Sequence, residues 1–187
     1  TRNLTMTSMP PFHLRTFLAR TLACSLFVAC IGISAASAAE SGAAQQAYDA
    51  AGARFEAEDY AGAIALYDQA LKADPDFISA YSDRGLAKLN IKDFKGAIAD
   101  YEAILKRKKD ADEAYAYRGK AKAGLGDIKG ALADHDKAIS LCPTCGYFYL
   151  NRGKVHLQAG DKAKAKQDFL EAQDRGIFDA EELLQGL

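Results

Sequence analysis

The sequence has no tryptophan, two methionines, four prolines and four cysteines among 187 residues. Four cysteines are too few for a scaffold that substitutes disulfides for a core. Four prolines and 15 glycines exclude a collagen-like or low-complexity chain. An excess of one charge is also lacking, with 24 basic against 25 acidic residues. The balance is uneven along the chain. Residues 1–39 hold Arg2, Arg15 and Arg20 and no acid, which leaves 21 basic against 25 acidic groups in the rest. A mildly acidic body lacks the basic face that phosphates require, so nucleic acid is not the expected partner. There is no HExxH, no glycine-rich phosphate loop and no nucleophile–base spacing, so neither a catalytic residue nor a cofactor is expected. What is present is 49% hydrophobic residues with 37 alanines, enough to build a folded domain of ordinary size.

The first 39 residues have the pattern of an export signal. Arg15 and Arg20 supply a positive start, Leu22 to Ile33 is apolar, and Ala36-Ser37-Ala38 offers a small-residue cleavage site. Cleavage is expected after Ala38 or Ala39, with 40–43 as a linker and a periplasmic or secreted product. Two membrane-attached alternatives stand beside this reading. Thr21 to Ala39 is uncharged and near the length of a spanning helix. Phe27-Val28-Ala29-Cys30 is a weak lipid-attachment motif.

A 34-residue period organises the remainder. Gly85, Gly119 and Gly153 recur at this spacing, as do Asp59, Asp93, Asp127 and Asp161, and Ala63, Ala97, Ala131 and Ala165. Four units tile 44–77, 78–111, 112–145 and 146–179 without a gap. Each holds two helical patterns separated by a break. The aspartate at unit position 16 can cap the second helix, and Pro75 and Pro143 fall where their units end. Residues 180–187 are expected to form a capping helix over the last apolar face.

These residues resemble the tetratricopeptide repeat family, whose units carry a large residue at position 4, Gly or Ala at 8, Ala at 20, an aromatic at 24 and Pro at 32. Here position 4 is Ala47, Tyr81, Tyr115 and Tyr149, and position 24 is Tyr67, Tyr101, His135 and Phe169. Position 11 departs from the pattern, with Arg54, Lys88, Lys122 and His156 where an aromatic is usual. The resemblance implies an all-α, right-handed solenoid of helical hairpins. Its first helices would line a concave groove for a protein or peptide. By that resemblance the groove takes Tyr48 and Phe55 from unit one, Asp83 and Leu86 from unit two, Tyr117 and Lys120 from unit three, and Tyr147, Leu150, Asn151 and Lys154 from unit four. A terminal-carboxylate clamp of one family subset finds no match at its positions.

Two further constellations stand out. Arg84, Arg118 and Arg152 occupy position 7, and Asp100, Asp134 and Asp168 occupy position 23, whereas unit one has Ala50 and Leu66. The two positions change together, so an Arg–Asp bridge within each unit is expected. Cys142-Pro143-Thr144-Cys145 is the only C-x-x-C. It reads as a local disulfide, with free thiols or a redox pair as alternatives. Joined to His135 and His156 it still falls short of a zinc pattern, and no metal is expected. Lys106-Arg107-Lys108-Lys109 ends a helix and reads as a solvated basic face.

Overall fold

Alanine-rich stretches of helical periodicity become helices, and short breaks at fixed spacing turn them back on themselves. The computed structural model describes residues 41–187, and the export signal with its membrane alternatives lies outside them. The helices are α1 (41–56), α2 (Tyr60–Ala73), α3 (Ile78–Asn90), α4 (Phe94–Arg107), α5 (Asp112–Gly124), α6 (Ile128–Leu141), α7 (Gly146–Gln158), α8 (Lys162–Asp174) and α9 (Asp179–Gln185). No strand occurs among the described residues. None of their helices is long and apolar enough to cross a membrane.

Two boundaries differ from expectation. Residues 41–43, assigned to a linker, are already helical, because Ala43, Ala44 and the two glutamines after them favour continuing the helix. The terminal helix starts at Asp179 and stops at Gln185, ahead of Gly186. Asp179 in its first turn suits the positive helix end. Ile177, Leu183 and Leu184 lay their side chains on the cluster formed by Leu150, Ala165, Phe169 and Ala172.

The hairpins α1–α2, α3–α4, α5–α6 and α7–α8 share one turn. Position 15 takes a left-handed backbone: Glu58 and Lys92 in the first two hairpins, Gly126 and Gly160 in the last two. Asp59, Asp93, Asp127 and Asp161 follow, each accepting from a backbone N–H three residues on at 3.0 to 3.1 Å. Each carboxylate thereby satisfies a donor that the helix start leaves unpaired.

Inside each hairpin the helices cross at the position-20 alanine, and Ala63, Ala97, Ala131 and Ala165 are all fully buried. The position-24 ring then lies over position 8. A Cβ added to Gly153 would stand 2.5 Å from Phe169 Cε1, one at Gly85 2.9 Å from Tyr101 Cζ, and one at Gly119 3.1 Å from His135 Nε2. Glycine therefore marks where ring and backbone meet, and the first hairpin manages with Ala51. Ala43–Leu187 is one compact unit in which each helix packs on the next, and first helices also touch across hairpins, α3 on α5 and α5 on α7.

Candidate functional site

The largest polar constellation is a repeated ion network between helices. Arg84 forks onto Asp100 through Nε and a terminal nitrogen. Arg118 does the same to Asp134 at 2.9 and 2.7 Å, and Arg152 to Asp168 at 3.0 and 2.6 Å. Two parallel N–H bonds per pair hold the planes together. The three aspartates are buried and close their own hairpins. Each arginine also reaches back to an acid at position 25 of the preceding unit: Asp68 at 2.5 Å, Glu102 at 3.8 Å and Asp136 at 2.6 Å. Each aspartate also meets a basic side chain from position 11: Lys88 and Lys122 at 2.8 Å, and the His156 ring at 3.8 Å. That contact gives the departure at position 11 its physical reason. In unit one, where position 23 is Leu66, Arg54 instead pairs with Asp59 at 2.8 Å. The Asp134 carboxylate, hydrogen-bonded to Arg118, holds that guanidinium above its ordinary pKa.

The inter-unit acids were legible at the same period. Position 25 is Asp68, Glu102 and Asp136 in the three units that have a successor, and Leu170 in the one that has none.

The basic run 106–109 is exposed throughout, as expected of a solvated face. Arg107, however, donates to Asp76 at 2.9 Å and to the Pro75 carbonyl at 2.8 Å, and lies 5.2 Å from the Tyr81 ring. Arg175 repeats the arrangement, donating to the Pro143 carbonyl at 2.9 Å and stacking 4.2 Å from Tyr149. Both arginines stand at position 30. Each clasps the proline of the unit before it, and a proline carbonyl is free because the helix ends there.

Cys142 and Cys145 are joined by a disulfide across the turn into α7. Asp112 is beside them, the one such cluster of metal-ligand types among the described residues. The sulfurs bond each other, and His135 and His156 belong to the helix crossing and the Asp168 network instead.

The remaining polar groups gather on the first helices. Tyr48 is half-buried, and its hydroxyl donates to Asp83 at 2.6 Å, the strongest of the influences that raise its pKa. Its ring packs 4.8 Å from Phe77. Tyr48 and Asp83 therefore spend much of their capacity joining α1 to α3. Phe55 meets the edge of Tyr60, and with Glu56, Asp83 and Leu86 it lines a small cleft. Leu150 departs from expectation: it is 2% exposed, because that side of α7 packs on Phe169 and Ala180. Tyr117 is half-buried and stacked on Tyr101 at 5.5 Å. Tyr147 stands 59% exposed. Tyr117, Tyr147, Asn151, Glu113 and Phe148 line a cleft of about 230 Å³ between α5 and α7. Next to it, Lys120, Asn151, Lys154 and Gln158 line a second cleft floored by His135.

With this geometry the chain can be set beside known proteins. Family models described as TPR repeat and Tetratricopeptide repeat match residues 52–92, and 82–144 with 114–180. The chain belongs to the tetratricopeptide repeat family. Among solved structures it is similar to residues 41 to the end of MamA from Desulfovibrio magneticus RS-1, at 23% identity and TM-score 0.66, covering 71% of this chain and 75% of that one. A thermophilic TPR protein of Thermus thermophilus, TTC0263, matches at 20% identity and TM-score 0.65 over 72% and 75%. The first TPR of Spaghetti (RPAP3), solved bound to the HSP90 peptide SRMEEVD, matches at 22% identity and TM-score 0.61 over 64% and 95%. These likenesses show the tetratricopeptide fold. No curated protein sequence matches the chain significantly.

Proposed function

We propose that this tetratricopeptide repeat chain is a non-catalytic protein-interaction module of the cell envelope. It would hold an extended segment or helix of a partner along the concave side of its first helices. The observation that carries this reading is the pair of adjoining clefts between α5 and α7. They unite the exposed Tyr147 ring, the Tyr117 edge and the amide of Asn151, which makes no hydrogen bond to any described residue. Aromatic anchors beside polar groups are the usual make-up of interface hot spots. The hairpins are cross-linked on several sides by ion networks, so the surface is preorganised and little ordering opposes binding. The RPAP3 likeness supports the mode, since that protein is solved with a peptide.

Export rests on the Arg15, Arg20, Leu22–Ile33 and Ala36–Ala38 pattern, and the Cys142–Cys145 disulfide suits an oxidising compartment. The mass of the chain recovered from a secreting cell tests the cleavage: loss of residues 1–38 or 1–39 supports it, and an intact or lipid-bearing chain overturns it in favour of membrane attachment. The groove is tested by affinity capture of envelope proteins on the full chain beside Tyr117→Ala with Asn151→Ala. A partner lost by the double variant, with both chains equally helical by circular dichroism, supports the groove. Equal retention by both chains refutes it.

A further inference from the structure

The cleft between α1 and α3 is lined by acids and by no base. Gly52, Phe55, Glu56, Tyr67, Asp83 and Leu86 enclose about 180 Å³ there. Tyr67 is 2% exposed, and its hydroxyl makes no hydrogen bond among the described residues. A buried phenol usually finds a partner. Tyr101, at the same position one hairpin on, donates to the Ser82 carbonyl at 3.4 Å. Asp83 accepts from Tyr48 at 2.6 Å through one oxygen, and its other oxygen has no partner among the described residues. Neither Asp83 nor Glu56 enters an ion pair among those residues, although Asp100, Asp134 and Asp168 are all paired. Burial and the Asp83 charge together raise the Tyr67 pKa to about 12, so the phenol keeps its proton at ordinary pH. Gly52 holds the mouth open: a Cβ there would meet nothing within 4 Å, whereas the later units carry Leu86, Lys120 and Lys154 at this position.

We infer that this cleft receives the ammonium group of a lysine in the bound segment, held by Glu56, the free oxygen of Asp83 and the Tyr67 hydroxyl oxygen. The inference rests on the groove reading and deepens it. The three acceptors come from three helices, Glu56 from α1, Tyr67 from α2 and Asp83 from α3. An ammonium has three donors that can point at separate acceptors, whereas a guanidinium favours both oxygens of one carboxylate. That fork is how Arg118 and Arg152 are held in this chain. Asp83 cannot offer it, because Tyr48 holds one of its oxygens. Phe55 and Leu86 supply an apolar wall along which a four-carbon stem can lie while its charge reaches the acids. A terminal amine has no such stem. The site also orients the segment, since Lys120 and Lys154 rim the cleft farther along the first helices and repel a base there.

The test titrates the full chain with four hexapeptide probes of one shared sequence while backbone amide signals are followed by NMR. Three are blocked at both ends and carry lysine, arginine or norleucine at one central position. The fourth is the norleucine peptide with a free N-terminal amine. Saturable shifts at Gly52, Tyr67 and Asp83 are expected, with the lysine probe binding at least tenfold more tightly than the blocked norleucine probe and at least threefold more tightly than the arginine probe. The tenfold advantage should vanish in Glu56→Gln with Asp83→Asn, which keeps an oxygen to accept from Tyr48. Gly52→Leu should abolish it as well, by filling the mouth with every acceptor intact. Leucine suits a helix better than glycine, so the Tm of that variant should not fall. Tyr67→Phe should weaken the lysine probe at least threefold and leave the norleucine probe unchanged; equal weakening of both overturns the phenol as a ligand. Equal binding of the lysine and norleucine probes, with shifts at Tyr117 and Tyr147, overturns the lysine site and leaves the groove standing. Absence of shifts at Gly52, Tyr67 and Asp83 with the lysine probe overturns the site outright, and a lysine advantage that survives Gly52→Leu overturns the cleft as its place. Arginine binding as tightly as lysine overturns the ammonium assignment, and a free-amine probe binding as tightly as the lysine probe overturns the side chain as its source.

Discussion

The first and third hairpins are the same backbone built with opposite chemistry. At positions 7, 23 and 24 the first has Ala50, Leu66 and Tyr67, and the third has Arg118, Asp134 and His135. Both bury their crossing alanine completely, and both cap the second helix with aspartate. The small residues and the turn therefore set the hairpin geometry, and whatever occupies the sides need only fill volume and satisfy its own polar groups. The first hairpin does so with hydrocarbon and a Tyr67 ring. The third uses a forked ion pair, and its His135 nitrogens find no hydrogen-bond partner among the described residues. Stability by itself does not favour the second arrangement, because a buried ion pair is seldom better for folding than a well-packed apolar pair.

The contrast can be broken most severely at Asp134. Asp134→Ala removes the buried carboxylate shared by Arg118 and Lys122 and should lower unfolding free energy by about 3–5 kcal/mol in urea denaturation. Leu66→Ala, at the same place in the first hairpin, removes only half-buried hydrocarbon and should cost clearly less. Acid should expose the next difference. The folded His135 pKa of about 4 lies below its ordinary 6.5, so the unfolded chain takes up the proton first. Stability is then full above pH 6.5 and falls by roughly 3 kcal/mol as pH drops from 6.5 towards 4. His135→Phe should abolish that component of the acid response, measured as urea midpoints across this range. If the wild-type and variant midpoints run parallel, the imidazole is not held neutral by burial.

Crossing geometry should answer alike in both hairpins. Ala63→Leu and Ala131→Leu each overpack a fully buried site and should each cost about 1–3 kcal/mol. A large disparity between them would show that side chemistry also sets the helix spacing. Transplanting the first hairpin's residues into the third, Arg118→Ala with Asp134→Leu, should leave stability within about 1 kcal/mol of wild type or above it. A comparably small effect is expected at the turn. Glu58→Gly relieves a left-handed side chain in the first hairpin and should gain about 1 kcal/mol, while Gly126→Ala in the third should lose about as much.

The period of 34, the small residues at positions 8 and 20 and the capping aspartates were readable directly, because each is local to one helix or one turn. The coincidence of Arg and Asp at positions 7 and 23 was readable too, since it recurs in three units. Position 25 recurs equally, yet its role depends on the following unit, so only the stacking of hairpins reveals that Asp68, Glu102 and Asp136 complete their neighbours' arginines. Arg107 and Arg175 are legible only afterwards, because a basic residue at a helix end has a sufficient local explanation in the helix dipole. The groove residues divide in the same way. Tyr147 stands exposed, whereas Leu150 turns inward because α9 and Phe169 cover that side of α7.

By itself, then, the sequence determined the helical hairpin, its length, its turn and its crossing point, since those follow from backbone propensity, capping and side-chain size within a single unit. The tertiary structure decided what each exposed-looking side chain is for. It spent Tyr48 and Asp83 on each other and gave position 11 an aspartate to meet. It also buried an imidazole at position 24 of the third hairpin with no hydrogen-bond partner among the described residues. Those outcomes depend on distances between residues of different units, which periodicity along one chain does not contain.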